Sequence, residues 1–373
     1  MHPTLSSRTR IWAALVAGAA LAGAAGHALA ATRGTIQQWQ FATDAAGGFK
    51  LALREVPEPK PARDQVAVRV HAVSLNRRDL LMRAGRYGLS ATKAGGIPLS
   101  DGAGEVIGVG ADVTRFKVGD RVAGTFFARW TDGPPSAAAL ASARGGNESG
   151  MLSQVIVADP EGLVAIPSHL SYEEAATLPC TGVTAWVALF KRGHVQPGQY
   201  VLIEGTGGVS VIGLQLAAAA GAKPIVTSSS DKKLEHAREL GAAGTVNYRS
   251  NADWQKEVRT LTNGAGVDQV LEVGGQDTLP KALQALAFGG HIAMIGGLSG
   301  FASDVPVGQL MGLGASVSGI YVGSRADFEA LNEFVSAHKI KPIVDKTFAL
   351  EDAPAAFAAM EEGEFFGKIV IRL

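Results

Sequence analysis

The polar–apolar rhythm of the chain changes near residue 182. Before it, segments 51–56 and 65–73 alternate apolar with polar side chains, on either side of a turn holding Pro57, Pro59 and Pro61. A further extended run at 102–109 closes on Gly110, and 116–122 reads as a turn leading into a strand. A period of two predicts half-buried strands, so residues 36–125 are β-rich. After residue 182, short apolar runs at 200–204, 224–228, 245–247, 269–273, 291–295 and 316–320 alternate with helical stretches such as 231–240 and 278–287. That alternation predicts βαβ units and a doubly wound parallel sheet. The tail supplies a helix (327–337), a β-like segment (343–348), a helix (353–360) and a last strand (368–373), all outside that pattern and expected to return to the first domain. The class is therefore α/β, with a β-rich domain beside a parallel-sheet domain. Segment 128–150 has loop composition with room for a short Ala-rich helix; Trp130 within it is expected to cover an active site.

Composition narrows the classes. The 373 residues are 47% hydrophobic and 18% charged, enough apolar material for sizeable cores. The formal net charge is zero, which removes nucleic acid and acidic membrane surfaces as electrostatic partners. Cys180 is the one cysteine, so neither an intrachain disulfide nor a multi-cysteine zinc site is available. At the N-terminus, Arg8 and Arg10 precede an apolar run from 11 to 25, then Ala28-Leu29-Ala30 before Ala31. This reads as a signal peptide over 1–30, giving an exported or periplasmic chain with no stable membrane span after cleavage. An uncleaved anchor is one alternative; a true start near Thr35, which makes the chain cytoplasmic, is the other.

The motif with the clearest chemistry follows the run at 200–204. It reads Gly205-Thr206-Gly207-Gly208-Val209-Ser210 and opens an apolar helix. Gly205 permits the sharp turn, while Gly207 and Gly208 let backbone N–H groups approach a pyrophosphate at the helix N-terminus. Thr206 and Val209 belong to the same turn. Ser210 stands where the usual fingerprint has a third glycine. An acid at the end of the second strand selects NAD through the ribose 2′-hydroxyl. Here Ser228-Ser229-Ser230-Asp231-Lys232-Lys233 offers hydroxyls and lysines instead, with Tyr248 after the third strand. Ser229, Ser230, Lys233 and Tyr248 therefore favour the 2′-phosphate of NADPH over NADH; the alternative is a helix cap by Asp231 or Ser230 followed by solvated lysines.

These residues, with Ser74-Leu75-Asn76-Arg77-Arg78-Asp79, Asp101-Gly102-Ala103-Gly104, Val118-Gly119-Asp120-Arg121-Val122, Ala175-Ala176-Thr177-Leu178-Pro179 and Gly367-Lys368-Ile369-Val370, resemble the medium-chain dehydrogenase/reductase superfamily over residues 36–373. Within it the chain is similar to the zinc-independent branch of quinone oxidoreductases and enoyl reductases. The resemblance implies a GroES-like catalytic domain (34–180, with 326–373 returning to it), a Rossmann domain (181–325) and a cleft between them. It also places Asn76, Ser100 and Cys180 where zinc-dependent members hold the metal, and neither replacement suits zinc. No metal site is expected. His71, His169 and His291 make no ligand spacing.

What the resemblance implies is an NADPH-dependent reduction of a quinone or α,β-unsaturated carbonyl. Asn76 and Tyr87 are candidates to orient or protonate substrate, and Thr184 to touch the nicotinamide. Cys180 falls near the nicotinamide as an inert thiol, and Asp79 is expected to bond nearby backbone. Gly274, Gly296 and Tyr321 stand at or just after strand ends on the cofactor side. Lys368 matches a position that reaches the pyrophosphate. Two alternatives stay open: a zinc-independent alcohol or aldehyde dehydrogenase, and a cofactor-binding sensor with little turnover. Relatives often form homodimers through the Rossmann sheet edge.

Overall fold

A computed structural model describes residues 34–88, 92–302 and 305–373; the expected signal segment lies outside them. Strands β1 (Thr35–Thr43) and β2 (Phe49–Pro57) pair as a ribbon. The next five are β3 (Val66–Ser74), β4 (Asp101–Val109), β5 (Arg121–Gly124), β6 (Val155–Ala158) and β7 (Leu163–Ala165). The parallel-sheet strands are β8 (Tyr200–Glu204), β9 (Lys223–Ser228), β10 (Gly244–Asn247), β11 (Val267–Glu272), β12 (Leu286–Met294) and β13 (Ser316–Gly319). The tail adds β14 (Val344–Ala349) and β15 (Lys368–Arg372).

The first sheet runs β14-β15-β3-β4-β5-β7, with β6 also on β3. Chain end meets chain start where β15 lies antiparallel to β3, Val370 opposite Ser74. That pairing carries Lys368 to the end of β3, beside the helix Arg77–Arg83. Val66, Val68, Val70, Val73, Ile369 and Ile371 fill the core on this side.

The second sheet runs β10-β9-β8-β11-β12-β13. All its pairs are parallel. The order reverses between β8 and β11, which opens a crevice above the carboxyl ends of those two strands. Leu202, Val270 and Ile292 are fully buried beneath it. The helix Gly208–Ala219 lies close over β11: a Cβ at Gly213 would meet Leu271 Cδ2 at 2.6 Å, so a larger residue there would have to displace that leucine.

Two expectations change. β12 starts at Leu286, five residues before the expected 291, and the preceding helix stops at Ala285. Leu286 is already extended, and Gly289 sits at φ +72°, so the helix has no way to continue. Trp130 packs inward where loop composition suggested an exposed position: it is 9% exposed, its ring packs on Phe127 at 5.7 Å, and its indole N–H donates to the Gly133 carbonyl. The short helix Ala137–Leu140 follows, capped by Ser136.

Candidate active site

The glycine turn after β8 is shaped for an anion. Gly205 adopts φ +74° and its N–H donates to Thr227 on β9. Gly207 caps the helix in an extended conformation, and a Cβ there meets no atom within 4 Å. No acidic residue stands in the helix's first turn. Its free N–H groups and dipole are thus open to negative charge. Gly208 is packed: a Cβ there meets Lys368 Cδ at 2.7 Å and Thr181 Cγ2 at 2.9 Å. Thr206 is buried and accepts the Gly367 N–H. Ser210 donates its hydroxyl to the Glu204 carbonyl at 2.7 Å, so the serine pins the turn where a glycine merely fits. Val209 is half-buried against the core.

At the end of β9, Ser230 caps the helix Asp231–Glu239, its hydroxyl accepting the Lys233 N–H. The Lys233 ammonium reaches the Gly363 carbonyl at 3.0 Å. Tyr248 is exposed and its N–H donates to the Ser228 carbonyl, which brings the β10 turn beside the serines. Ser229 is half-buried between them. Gly274 and Gly296 occupy the turns after β11 and β12. A Cβ at Gly274 strikes Thr278 Oγ1 at 2.3 Å, and one at Gly296 strikes the Val273 carbonyl at 2.8 Å.

Beside the glycine turn lies a buried polar cluster gathered from both ends of the chain. Lys368 is 3% exposed; its ammonium donates to the Leu75 carbonyl and to Asn76 Oδ1. Asn76 donates its N–H to Asp79 Oδ2 at 2.7 Å, fixing the start of the helix Arg77–Arg83. Asp101 accepts the Ser100 hydroxyl at 2.6 Å and the Cys180 N–H at 3.0 Å. Burial pushes Asp79 up to about 6, against the pull of Arg78. It pushes Asp101 up as well, opposed by Lys368. Burial lowers Lys368, and the Asp101 carboxylate works in the opposite direction. Burial and Asp101 hold the Cys180 thiol protonated.

An aromatic group adjoins the cluster. The hydroxyls of Tyr87 and Tyr321 meet at 3.2 Å. The Arg78 guanidinium lies 5.2 Å from the Tyr87 ring centre and 4.6 Å from that of Phe126. Phe127 meets Tyr321 edge-on at 5.0 Å. Burial raises Tyr87 well above the ordinary phenol range, so it is a hydrogen-bond donor at neutral pH.

Comparison with known proteins agrees with this arrangement. The description "Alcohol dehydrogenase GroES-like domain" matches residues 62–168, and "Zinc-binding dehydrogenase" matches residues 208–337. A zinc-type alcohol dehydrogenase-like protein of Schizosaccharomyces pombe is 42% identical over 325 residues, covering 86% of this chain and 93% of that protein. The chain belongs to the medium-chain dehydrogenase/reductase superfamily. It is an oxidoreductase of a fold that fits a nicotinamide cofactor. A crystal structure from Sinorhizobium meliloti 1021, provisionally named an alcohol dehydrogenase, superposes with TM-score 0.86 at 40% identity, covering 92% of this chain and all (100%) of that one. A Pseudomonas syringae quinone oxidoreductase superposes with TM-score 0.75 at 30% identity, covering 91% and 100%.

The donor set does not fit the zinc of that family description. The Asn76 oxygen is taken by an ammonium group and the Ser100 hydroxyl by Asp101, which leaves Cys180 as the lone thiol at these three positions. A zinc site needs deprotonated thiolates, imidazoles or carboxylates converging. Among the described residues, no group of three or more His, Cys, Asp or Glu converges in that way.

The structure thus brings Asn76, Lys368 and Cys180 into one cluster, and Tyr87 and Tyr321 into the group beside it. Tyr321, expected on the cofactor side, presents its hydroxyl to Tyr87. Thr184 is buried within the helix Val183–Trp186. His71 stacks on Tyr172, and His169 bonds the Ile340 carbonyl. Sequence reasoning passed over Arg78, Asp101, Glu204 and Glu272. The first two stand inside motifs already read; the last two each follow an apolar triplet or pair at a strand's carboxyl end, Val201-Leu202-Ile203 and Val270-Leu271, and that was their signal.

Proposed function

We propose that this chain reduces a quinone or an α,β-unsaturated carbonyl with NADPH, without zinc. The observation that carries the reading is the cluster itself: where a metal would polarise the substrate oxygen, this protein offers the Asn76 amide, anchored by Lys368, and the neutral Tyr87 hydroxyl. NADPH, when bound, supplies the hydride. The glycine turn and the helix Gly208–Ala219 hold its pyrophosphate, and Ser229, Ser230, Lys233 and Tyr248 surround its 2′-phosphate. Gly274 and Gly296, in the turns after β11 and β12, lie on the ribose and nicotinamide side, and Thr184 lines the far side. A conjugated acceptor needs no Lewis acid, because its carbonyl already draws electrons from the carbon that receives hydride. The protein has only to orient it and to donate a hydrogen bond to the oxygen as negative charge develops there. The two sheets support a substrate-side domain of residues 34–180 with 326–373, and a nucleotide-side domain of 181–325.

The test is turnover with NADPH and, separately, NADH against a panel of quinones, enones and alcohols. Reduction of quinones or enones with NADPH preferred supports the reading. Alcohol oxidation alone favours the second reading, a zinc-independent alcohol dehydrogenase, to which the names of the alcohol dehydrogenase relatives point.

A homodimer is part of the proposal. Most of the large apolar side chains exposed on the described surface belong to β12, β13 and the segment between them: Phe288, Leu298, Phe301, Val307, Met311 and Val317, with Phe301 87% exposed. β13 pairs on one side only, so a second copy can extend the sheet there. Sedimentation at micromolar concentration checks it. Export rests on residues 1–30; no described helix is long and apolar enough to cross a membrane. N-terminal sequencing of the mature chain decides between cleavage at Ala30 and retention.

A further inference from the structure

The crevice between β8 and β11 is floored by two carboxyl groups to which the proposed reaction gives no role. Glu204 ends β8 and Glu272 ends β11, both buried. Glu272 Oε1 accepts from Gly274 N–H (2.8 Å), Gly275 N–H (2.7 Å) and the Thr278 hydroxyl (2.6 Å). Glu204 Oε2 accepts, at 3.4 Å, from the same Gly274 N–H and from Val273 N–H. One amide shared by two carboxyl groups puts them side by side. Their remaining oxygens, Glu204 Oε1 and Glu272 Oε2, are buried with no donor among the described residues.

Among the described residues packed against them, no cation offsets them. The helix Gly208–Ala219 contains no charged residue. Turn 273–278 contains only Asp277, which is exposed. The lysine of β9 is at that strand's far, exposed end, and the histidine of β12 is in mid-strand opposite Gln269. The charged group that acts on Glu204 is Glu272, and burial with that neighbour raises Glu204 well above the ordinary carboxyl range. Adjacent buried carboxyls do not both ionise at neutral pH, and their titration belongs to the pair.

We propose that Glu204 and Glu272 hold one proton between them and so brace the glycine turn after β8 against the Gly274–Gly275 turn after β11, making Glu204 a positioning residue for the nucleotide. This rests on the nucleotide-binding reading above. The shared proton fills the gap between the donorless oxygens. Its loss sets two like charges side by side under the pyrophosphate and drives the turns apart. Nucleotide affinity therefore falls as pH rises.

The test compares wild type with Glu204→Gln, whose neutral amide still donates to Glu272. NADPH is titrated by fluorescence from pH 6 to 9.5. Wild-type affinity is expected to weaken about tenfold or more across that range, and that of E204Q by less than about threefold. A second readout needs no nucleotide: thermal unfolding against pH. A carboxyl that keeps its proton better folded than unfolded stabilises the fold at low pH and loses that contribution as pH rises through its folded value. The wild-type midpoint should fall in that window, and that of E204Q should not. Glu272→Gln repeats both measurements if E204Q does not fold. Binding and unfolding profiles of the same shape in wild type and variant overturn the acid pair. Failure of wild type to bind NADPH or NADH at any pH overturns the nucleotide reading itself.

Discussion

Asp79 and Asp101 share their buried space with Lys368 and Arg78, whereas Glu204 and Glu272 share theirs with no cation. Both groups lie beside the glycine turn, one against the start of the helix Arg77–Arg83 and one at the sheet's crevice. The first is neutralised by opposite charge, so it is set by long-range contacts: Lys368 comes from β15 and its partners from the end of β3 and the helix after it. The second is neutralised by a retained proton and by backbone donors from its own turn. The difference teaches that a buried acid tells little about a site until its counter-charge is known. A cation keeps an acid ionised and electrostatically useful. A second acid makes it a proton-dependent clamp.

The largest break in this comparison is removal of the cation. Lys368→Met keeps most of the volume but leaves Asp79 and Asp101 without their ammonium and Asn76 Oδ1 without its donor. Breaking one side of a buried pair costs about 3–5 kcal/mol. Urea unfolding at pH 7 should show a loss of that size, partly recovered at pH 5, where the acids take up protons.

Next in size is the pH response of the cluster itself. Asp79 is raised from 3.8 to about 6 on folding. Its contribution is therefore complete below pH 4 and lost as pH rises through 6. At roughly 1.4 kcal/mol per unit, the span is about 3 kcal/mol. Asp79→Asn keeps an acceptor for the Asn76 N–H and should flatten the stability profile between pH 4 and 6. An unchanged slope there would assign the titration to another group.

A smaller effect separates function from stability on the cluster side. Tyr87→Phe removes one hydroxyl of the Tyr87–Tyr321 pair while keeping the ring under Arg78. Loss of a positioned donor should lower kcat/KM about 100-fold, with KM for NADPH and the unfolding midpoint little changed. Steady-state kinetics on the best quinone or enone checks it.

How much of this was legible beforehand follows the same division. The glycine turn is local: its strand, glycines and helix are consecutive, so Gly205, Gly207 and Gly208 could be read directly, as could the six parallel strands to within a few residues. The expectation that the tail leaves the six-strand pattern was readable from spacing alone. The cluster is another matter. Asn76, Asp101, Cys180 and Lys368 are separated by up to 292 positions, and only the β15–β3 pairing brings the first and last together. The burial of Trp130 was not legible, because loop composition says nothing about whether a loop packs inward.

The finest probe acts on the acid pair without touching either acid. Thr278→Val is nearly isosteric and removes the hydroxyl that donates to Glu272 Oε1 at 2.6 Å. Two backbone N–H donors to that oxygen remain, so the turn should stay folded. The direct cost should be about 1–2 kcal/mol at pH 7, read by thermal unfolding. A carboxylate that loses a donor becomes a stronger base, so the pair should hold its proton to higher pH than in wild type. The fall in midpoint that accompanies loss of the shared proton should move upward with it. Were the two acids each ionised and held separately by their own amides, removing Thr278 Oγ1 would lower stability equally at every pH from 6 to 9.5. A displaced transition therefore argues for the shared proton, and a uniform loss argues against it.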